Sequence, residues 1–518
     1  MNKDIFLSVL IYMSNNKLPP IIPRSFYKFN PNQNSNLSTN INNPSKNGVT
    51  LSPSSVYLPP DPCSAAANGY CMCVWNLQYQ IYNVDSFTYN LTQYNNNSPT
   101  NIITIFSNIR INRTISLTTN NLSDPYIVYN TFLNKFVLII FYNISSSRTA
   151  GILIAVSKDN TPINGWNTYY FTSYNNYNKK SIVFPDYPKI GFNASNTYIS
   201  INSFNLAGTI YLGPVLYNIP NTILNISYTN TTDIFNHLDF QVLSLSTNYF
   251  SVFPLQKFDN NTGMYFVSAP YVSSTTALYV HYTSTGNISN RKTGTSNLSI
   301  KSITVKKYSF PVNVPQPLVS GKTIYNLDCL GNRISTGVVK NNIIWTSHTI
   351  KDPSSLNIFS TSLDCVRWYG ISISSLTSFS LKASGNIQYH PTLNQNAGIF
   401  MSAIGTDGTN VVLCFNVSGS LSTGNIDVYP SIGYYTFPTT ITGFTKTPIS
   451  QLAYRGNSSY SSTITNPIRW GDYASICVYS DNKVFFATNE SVRQTTPLSN
   501  SSWDIQIATI QINGGIII

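Results

Sequence analysis

Residues 124–171 read DPYIVYNTFLNKFVLIIFYNISSSRTAGILIAVSKDNTPINGWNTYYF, and they decide the fold. Branched and aromatic residues fill three runs that predict β-strands, at 124–130, 135–142 and 151–157, and a fourth strand ends at Phe171. In the polar turn before the fourth strand, Asp159 is expected to cap backbone amides and Gly165 to take a positive φ. Trp166 is expected to wedge between adjacent sheets. The segment therefore predicts one four-stranded meander.

A second informative stretch reads FPDYPKIGFNASNTYISINSF at 184–204. Pro185 and Pro188 have a fixed φ and no amide donor, so residues 184–188 predict a loop that presents Asp186 and Tyr187 in a set geometry. The residues from 197 to 204 alternate between two faces of a following strand. The stretch therefore indicates an architecture rather than an activity.

Strand-and-turn units of similar size recur at 184–212, 249–282, 341–373, 399–435 and 470–512. Glu490 is the only glutamate and alanine is sparse, which excludes a helix-rich fold. Arrays of such units close into a propeller, whose last blade usually takes a strand from each terminus. The sequence predicts an all-β fold: a single β-propeller of six or seven four-stranded blades at 59–518, preceded by an extended low-complexity N-terminal arm at 1–58.

The predicted arm is rich in Asn, Pro and Ser. Two interpretations stay open: a disordered leader, or an arm that docks on a neighbouring subunit. The apolar run at 5–13 resembles a signal-peptide core, but Asp4 precedes it and no small-residue cleavage site follows, so we expect it to stay on the mature chain. No apolar run approaches the roughly 20 residues that span a bilayer, so membrane insertion is not predicted.

The formal charge of +12 comes from 30 basic and 18 acidic residues, yet charged residues make up only 9% of the chain. The basic residues are scattered, so no nucleic-acid partner is predicted. Weak attraction to acidic glycans, anionic membranes or an acidic protein is expected instead. A surface low in charge and rich in Asn, Ser, Thr and Tyr is typical of an extracellular or virion-surface protein. Heavy use of Asn, Ile, Tyr and Phe also fits the AT-rich genome of a large DNA virus.

The seven cysteines do not identify a compartment. Cys63, Cys71 and Cys73 lie close in sequence, and both a disulfide among them and buried free thiols stay open. The Cys71-Met-Cys73 spacing lacks the two-residue spacer of zinc knuckles, and no histidine is near. No metal and no cofactor are therefore predicted.

Several segments carry recognisable motifs: SDPYIVYNTFLNKFVLIIFY at 123–142, ILIAVSKDNTPINGWNTYYF at 152–171, FPDYPKIGF at 184–192, CVRWYGI at 365–371, and RWGDYASICV with FFATNES at 469–491. They resemble a family of uncharacterised secreted β-propeller proteins, best known from bacteria, and the resemblance runs from about Gly69 to the C-terminus. Where that family carries Arg-Trp-Met, this chain has Ile399-Phe400-Met401, so one positive charge is missing. The resemblance implies a propeller and no established reaction.

Inner strands and end loops of a propeller converge on its axis, so polar residues far apart in sequence can share one pocket. The candidates for ligand binding or for a central lattice are Asp186, Tyr187, Lys189, His348, Arg367, Trp368, Tyr369, Arg469, Trp470, Asp472, Tyr473 and Glu490. Arginines would hold a carboxylate or sulfate, and the aromatic rings would stack on sugars. The competing structural interpretation pairs Arg469 with Asp472, makes His348 a core histidine and makes Glu490 a loop cap or an ion-pair partner after a strand.

No catalytic residue is assigned from the sequence. A glycosidase needs two facing carboxylates, and only Glu490 with Asp186 or Asp472 offers such a pair. A sialidase would use an arginine triad and a tyrosine nucleophile, for which only Arg367 and Arg469 are promising. Motifs of esterases, zincins and phosphate-binding enzymes are missing. The sequence thus predicts a noncatalytic propeller, a structural and adhesive subunit that binds protein partners or glycans. The alternative is a sialidase-like propeller glycoside hydrolase that acts on surface glycans.

Overall fold

A computed structural model describes most of the chain after residue 48. The described residues are 49–51, 59–96, 98–176, 181–226, 232–290, 294–317, 324–353, 364–388, 395–421, 428–448, 452–460, 467–479, 484–495, 500–513 and 516–517. Most of the predicted N-terminal arm, and with it the docking interpretation, lies outside these residues.

The first part of the chain forms strand β1 (Val49–Leu51) and then three blades. Blade 1 contains β2 (Cys63–Ala67), β3 (Tyr70–Trp75), β4 (Gln78–Val84) and β5 (Leu91–Gln93), with β6 (Thr100–Asn101) paired to β4. A short hairpin follows, formed by β7 (Arg110–Ile111) and β8 (Ile115–Ser116). Blade 2 contains β9 (Leu122–Asn130), β10 (Lys135–Ile144), β11 (Thr149–Ser157) and β12 (Trp166–Thr172). Blade 3 contains β13 (Phe184–Phe192), β14 (Asn196–Phe204), β15 (Tyr211–Pro220) and β16 (Gln241–Ser244).

Four further blades complete the chain. Blade 4 contains β17 (Tyr249–Pro254), β19 (Met264–Pro270), β20 (Ser274–Thr283) and β21 (Ser299–Ser309). The short strand β18 (Gln256–Lys257) pairs with β13 of blade 3 and with the first strand of blade 5. Blade 5 contains β22 (Ile334–Lys340), β23 (Ile343–Lys351), β24 (Asp364–Ser375) and β25 (Ser378–Gln388). Blade 6 contains β26 (Gln395–Thr406), β27 (Asn410–Leu421), β28 (Val428–Pro438) and β30 (Leu452–Tyr454), while β29 (Gly443–Pro448) pairs with β25. Blade 7 contains β31 (Ser475–Tyr479), β32 (Val484–Thr495), β33 (Asn500–Asn513) and β1, and β34 (Ile516–Ile517) pairs with β33.

Helical segments are few and short among the described residues. One α-helical turn, α1, spans Asn221–Leu224. The 3-10 turns are Tyr94–Asn96, Ile102–Thr104, Thr119–Asn121, Ser145–Ser147 and Ile234–Asn236.

The innermost strands form a closed ring. The first strand of each blade contacts the first strand of the next, and β31 contacts β2. Across that last junction, the Ser64 backbone N donates to Ser475 Oγ at 2.8 Å. Strand β1 pairs with β33 in the register Val49 to Ile507, so blade 7 takes strands from both ends of the chain. The fold is an all-β propeller with seven four-stranded blades in the described residues, which confirms the predicted fold class.

The meander predicted at 124–171 is blade 2, and its turn has the expected chemistry. Asp159 Oδ1 accepts from the Thr161 backbone N at 2.8 Å, and Gly165 has a φ of +92°. Trp166 is half-buried beside β4 of blade 1. The apolar residues of β10 and β11 are buried on both faces, because each blade packs between two others.

The prediction of a loop at 184–188 is wrong, because these residues begin strand β13. Asp186 pairs with Asn202 and Lys189 pairs with Ser200, so the two intervening residues form a β-bulge. The bulge accommodates Pro188, which cannot donate to a ladder. Similar bulges interrupt β9, β17, β22 and β26. A β-bulge changes the direction of the side chains on its strand.

Candidate functional site

Five buried carboxyl side chains lie near the starts of the innermost strands of blades 1, 2, 3 and 7. We call them the inner acid cluster: Asp61, Asp124, Asp186, Asp472 and Glu490. Asp61 and Asp472 precede β2 and β31, Asp124 and Asp186 lie within β9 and β13, and Glu490 lies on β32. None is more than 3% exposed. They interact electrostatically, because Asp472 acts on Asp61, Asp124 and Glu490, and Asp186 acts on Asp124.

A chain of hydrogen bonds fixes Asp472 relative to Asp124. The Asp472 backbone N donates to Asp61 Oδ1 at 2.6 Å, and Asn76 Nδ2 donates to Asp61 Oδ2 at 2.5 Å. Asn76 Oδ1 then accepts from the Asp124 backbone N at 3.1 Å. This chain crosses from blade 7 through blade 1 to blade 2, so it positions the two carboxyl groups across the closure of the ring.

The carboxyl group of Asp124 is held toward its neutral form. Burial, with the neighbouring carboxylates of Asp186 and Asp472, raises the pKa of Asp124 to about 7. Ser123 Oγ donates to Oδ1 at 2.7 Å, and the Tyr473 hydroxyl donates to Oδ2 at 3.2 Å. A large share of Asp124 is therefore protonated at neutral pH.

The other acids have contrasting environments. Burial, together with the nearby aspartates, raises the pKa of Asp61, and burial also raises the pKa of Glu490. The Glu490 carboxylate packs so closely on Gly471 that a Cβ there would overlap Oε1. Asp472 Oδ2 lies 3.6 Å from Arg469 Nη2, which confirms the predicted pair. The cluster thus combines acids that favour the protonated form with a carboxylate that has a cationic partner.

A lysine lies in an aromatic cage beside the cluster. Lys189 Nζ is 3.5 Å from the ring centroid of Tyr473, 4.0 Å from that of Tyr187 and 4.8 Å from that of Tyr126. Burial lowers the pKa of Lys189, while the nearby acids, Asp472 among them, oppose that shift. The faces of the three rings also favour the ammonium form. Burial is the largest of these effects, so the Lys189 side chain is held toward its neutral amine next to the acids.

A narrow cavity of about 10 Å³ reaches Asp472 from the side of blades 5 and 6. Tyr187, Arg333 and Ser402 also line it. The Arg333 guanidinium lies over the rings of Tyr187 and Phe250, at 4.8 and 4.9 Å, and its Nε donates to the Leu330 backbone O at 2.8 Å. Such a cavity has room for about one water molecule.

Four of the predicted residues lie in blade 5 and not in this cluster. His348 is fully buried, with Nδ1 2.8 Å from the Asn332 backbone O and Nε2 2.9 Å from the Tyr369 hydroxyl. Burial lowers the pKa of His348 to about 3, so it is a neutral core histidine, as the structural interpretation expects. Trp368 stacks on Phe437 at 4.3 Å.

Arg367 belongs to a separate polar network of blade 5. Its Nε donates to Asn386 Oδ1 at 2.6 Å, and Nη1 donates to the Lys306 backbone O at 2.7 Å. Asp352 Oδ1 lies 3.7 Å from Nη2. Arg367 thus bridges strands, and the binding role considered for it is not supported by its position.

The prediction of Glu490 as a cap after a strand is wrong, since β32 continues through it to Thr495. Trp470 is buried, and its Nε1 donates to Asn416 Oδ1 at 3.0 Å. Asn416 Nδ2 donates in turn to the Glu490 backbone O at 2.6 Å. Trp470 and Glu490 are therefore tied to blade 6.

Four residues of the site were missed by the sequence analysis: Asp61, Asn76, Asp124 and Arg333. A signal for two of them exists. Asp61-Pro62, Asp124-Pro125 and Tyr187-Pro188 recur at intervals of 63 residues, and the residue before each proline has a φ of 53°, 58° or 56°. A positive φ before proline is rare, so the repeat marks a special backbone position in three consecutive blades.

The cysteines are free thiols, and all but Cys477 are buried. Among the residues described, no three His, Cys, Asp or Glu side chains are placed to hold a metal ion. The described part of the chain also has no helix that is long and apolar enough to cross a membrane.

No protein-family model matches this chain, and no curated protein matches it. Several solved structures share its propeller form at low similarity. An exo-β-1,3-galactanase from Clostridium thermocellum has 10% identity and a TM-score of 0.31, over 91% of this chain and 97% of that one. The endosialidase of phage phi92 has 9% identity and a TM-score of 0.36, over 91% and 70%. An α-L-arabinanase from Penicillium chrysogenum has 10% identity and a TM-score of 0.35, over 78% and 100%.

These findings contradict the prediction of a noncatalytic structural and adhesive subunit, because the similar propellers are glycan-cleaving enzymes by their names. At this identity and TM-score the likeness assigns no role to any residue of this chain. The roles must come from the inner acid cluster itself.

Proposed function

We propose that the protein hydrolyses glycosidic bonds at the inner acid cluster. The supporting observation is the pairing of Asp124, which is held toward its neutral form, with Asp472, whose carboxylate has Arg469 as its partner. Glycoside hydrolysis requires one carboxylic acid and one carboxylate on opposite sides of the scissile bond. Asp61 and Asn76 supply the rigid connection between the two.

In this proposal Asp124 protonates the oxygen of the leaving sugar. Asp472 lines the cavity that reaches the cluster, so its carboxylate removes a proton from water as that water adds to the anomeric carbon. The Arg469 guanidinium lies 3.6 Å from Asp472 Oδ2 and supplies the positive charge beside this carboxylate. A sugar ring is larger than the cavity, so binding requires the Arg333 side chain to move away from Tyr187.

The test is an assay of reducing ends released from a polysaccharide panel: β-1,3-galactan, arabinan, xylan and polysialic acid. We expect the full-length protein to cleave at least one member. Replacing Asp124→Asn or Asp472→Asn should lower the rate about 10²- to 10⁴-fold, because each change removes one half of the acid–base pair.

Asp239→Asn is the matched control, because it makes the same chemical change at an exposed residue before β16, outside the inner acid cluster. It should keep the parent rate. Cleavage that survives in both cluster variants, or a parent that cleaves no panel member, would contradict the proposal.

A further inference from the structure

A second cleft lies between blades 1 and 2, and none of its lining residues belongs to the inner acid cluster. Its walls are β4, the 3-10 turns after β5 and β6, and the turn that precedes β12. Its volume is about 300 Å³, at the lower end of the range of small-molecule sites. We call it the blade 1–2 cleft.

Three half-buried aromatic side chains give this cleft flat apolar faces: Tyr79, Tyr94 and Trp166. The Tyr94 ring is held by an edge contact with the Tyr70 ring at a centroid distance of 6.0 Å. Trp166 is the first residue of β12, and its backbone pairs with Ser157 of β11, which fixes the position of the side chain's base. Rigid rings of this kind offer stacking surfaces at a small cost in conformational entropy.

The polar groups of the cleft are all neutral. Ser98, Thr100 and Thr104 contribute hydroxyls, and no charged side chain is among the described residues that line it. The whole chain has a net charge of +12, whereas the described lining residues of this cleft carry no charge. A site for an anionic ligand would need a cationic partner, and this cleft provides none among its described lining residues.

Gln80 supplies an independent sign of a ligand. Its side chain is 3% exposed and lines the cleft, and its Nε2 donates to the Ile81 backbone O at 3.2 Å. Its Oε1 has no hydrogen-bond partner among the described residues. A buried acceptor without a partner is costly, and a hydroxyl donor from a ligand would remove that cost.

We propose that the blade 1–2 cleft binds a neutral saccharide. A sugar presents apolar C–H faces, which suit the rings of Tyr94 and Trp166, and hydroxyl edges, which suit the threonine hydroxyls and Gln80 Oε1. The binding is separate from glycosidic cleavage, and it would hold a second glycan on the protein, outside the inner acid cluster.

The test is equilibrium binding of neutral oligosaccharides to the full-length protein, measured by calorimetry and by ligand saturation-transfer NMR. The probes are xylohexaose, cellohexaose, laminarihexaose and arabinohexaose. We expect at least one probe to bind, and Trp166→Ala to weaken that binding at least tenfold. Gln80→Leu keeps the side-chain volume and removes the acceptor, so it should weaken binding at least fivefold.

Phe87→Ala is the matched control, because Phe87 is an aromatic residue of blade 1 that is 89% exposed and does not line the cleft. It should leave binding unchanged. Circular dichroism identifies a variant that fails to fold, and Tyr94→Ala then replaces Trp166→Ala. Absence of binding by the parent, or equal binding by the parent and Gln80→Leu, overturns the proposal.

Discussion

Asp124 holds a proton because its surroundings penalise its charge. It is 3% exposed, it faces the carboxylates of Asp186 and Asp472, and its own oxygens accept hydrogen bonds from Ser123 and Tyr473. The hydrogen bonds stabilise the carboxylate, but burial is the larger effect and raises the pKa to about 7. The same shift has a consequence for stability.

Asp124→Asn should stabilise the protein at neutral pH and have little effect near pH 4. The folded pKa is raised from its ordinary value of 3.8 to about 7, so the unfolded chain ionises first as the pH rises. Between these two pKa values, ionisation of Asp124 in the unfolded chain lowers the parent's free energy of unfolding by about 1.4 kcal/mol per pH unit. Above about pH 7 the free energy of unfolding does not fall further through Asp124. Urea unfolding from pH 4 to 8 should show the difference between variant and parent growing by up to about 4 kcal/mol.

Asp239→Asn serves as the control for charge, because Asp239 is exposed, and its stability difference from the parent should stay within about 0.5 kcal/mol over the same range. A difference between Asp124→Asn and the parent that does not change with pH would show that Asp124 ionises normally in the folded protein.

The sequence predicted the contacts of the site between residues close together along the chain and did not predict those between residues far apart along it. The pair Arg469 and Asp472 is three residues apart and was predicted. The bond from Asp472 to Asp61 joins residues 411 positions apart, so no local pattern reports it. His348 was predicted as a core histidine because it lies beside Trp345 in an apolar strand.

At the scale of elements, Asn76 connects three blades. It follows β3 of blade 1, and its side chain donates a hydrogen bond to Asp61 and accepts one from the Asp124 backbone N of blade 2. Asp61 in turn accepts a hydrogen bond from the Asp472 backbone N of blade 7. A second bond from Nδ2 to the Pro59 backbone O, at 2.8 Å, holds the segment before β2. One amide therefore sets the spacing of the inner strands around the cluster.

Asn76→Ala should lower the free energy of unfolding by about 2–3 kcal/mol, since it leaves Asp61 Oδ2 and the Asp124 backbone N without their partner. It should also lower kcat of any glycosidic cleavage more than it changes KM, because the two acids lose their relative position. Urea unfolding and steady-state kinetics measure the two effects.

Asn90→Ala is the control, because Asn90 lies exposed in the loop between β4 and β5 of the same blade. It should change neither quantity appreciably. Equal kcat in Asn76→Ala and the parent would remove Asn76 from the positioning of the acids.

Element prediction succeeded where branched and aromatic residues form continuous runs. The strands of blade 2 coincide with the branched and aromatic runs, and Gly165 has the positive φ that was expected in the turn before β12. It failed at 184–188, because proline usually ends a strand and a β-bulge allows Pro188 to remain in one. Bulges depend on the partner strand, so the sequence of one strand does not reveal them.

For the whole molecule, the circle of blades is completed on its outer side by strand β1, which adds a strand from the start of the chain to blade 7. Leu51 is 4% exposed and packs in the same apolar cluster as Trp503, Ile505 and Ile507 of β33. Without β1, the outer edge of β33 would be an unpaired strand edge. The closure therefore couples residues near 50 to the end of the chain.

Leu51→Ala should lower the free energy of unfolding by about 2–4 kcal/mol, because it removes a buried side chain that the neighbouring strands cannot replace. Thr50→Ala is the matched control on the same strand: Thr50 is exposed and its Oγ1 donates to Gln506 Oε1 at 2.7 Å, so the loss should stay near 1 kcal/mol. Equal effects of the two changes in urea unfolding would contradict the role of β1 in completing the circle of blades.

A closing strand from each terminus was predicted from the general behaviour of propellers, and pairing of β1 with β33 confirms it. The number of blades was left at six or seven, because the connections vary in length. Blade 1 begins at Cys63, whereas the recurring strand-and-turn units recognised in the sequence begin at residue 124. The number of blades was therefore determined only from the structure.

The most direct test of the account is the rate of glycosidic cleavage as a function of pH, measured from pH 5 to 9 on the polysaccharide panel with the parent and Asp124→Asn. The account predicts cleavage by the parent that declines above about pH 7, as Asp124 loses its proton, and a rate at least 10²-fold lower in the variant. A parent that cleaves nothing, or a variant with the parent's rate and pH dependence, would contradict it.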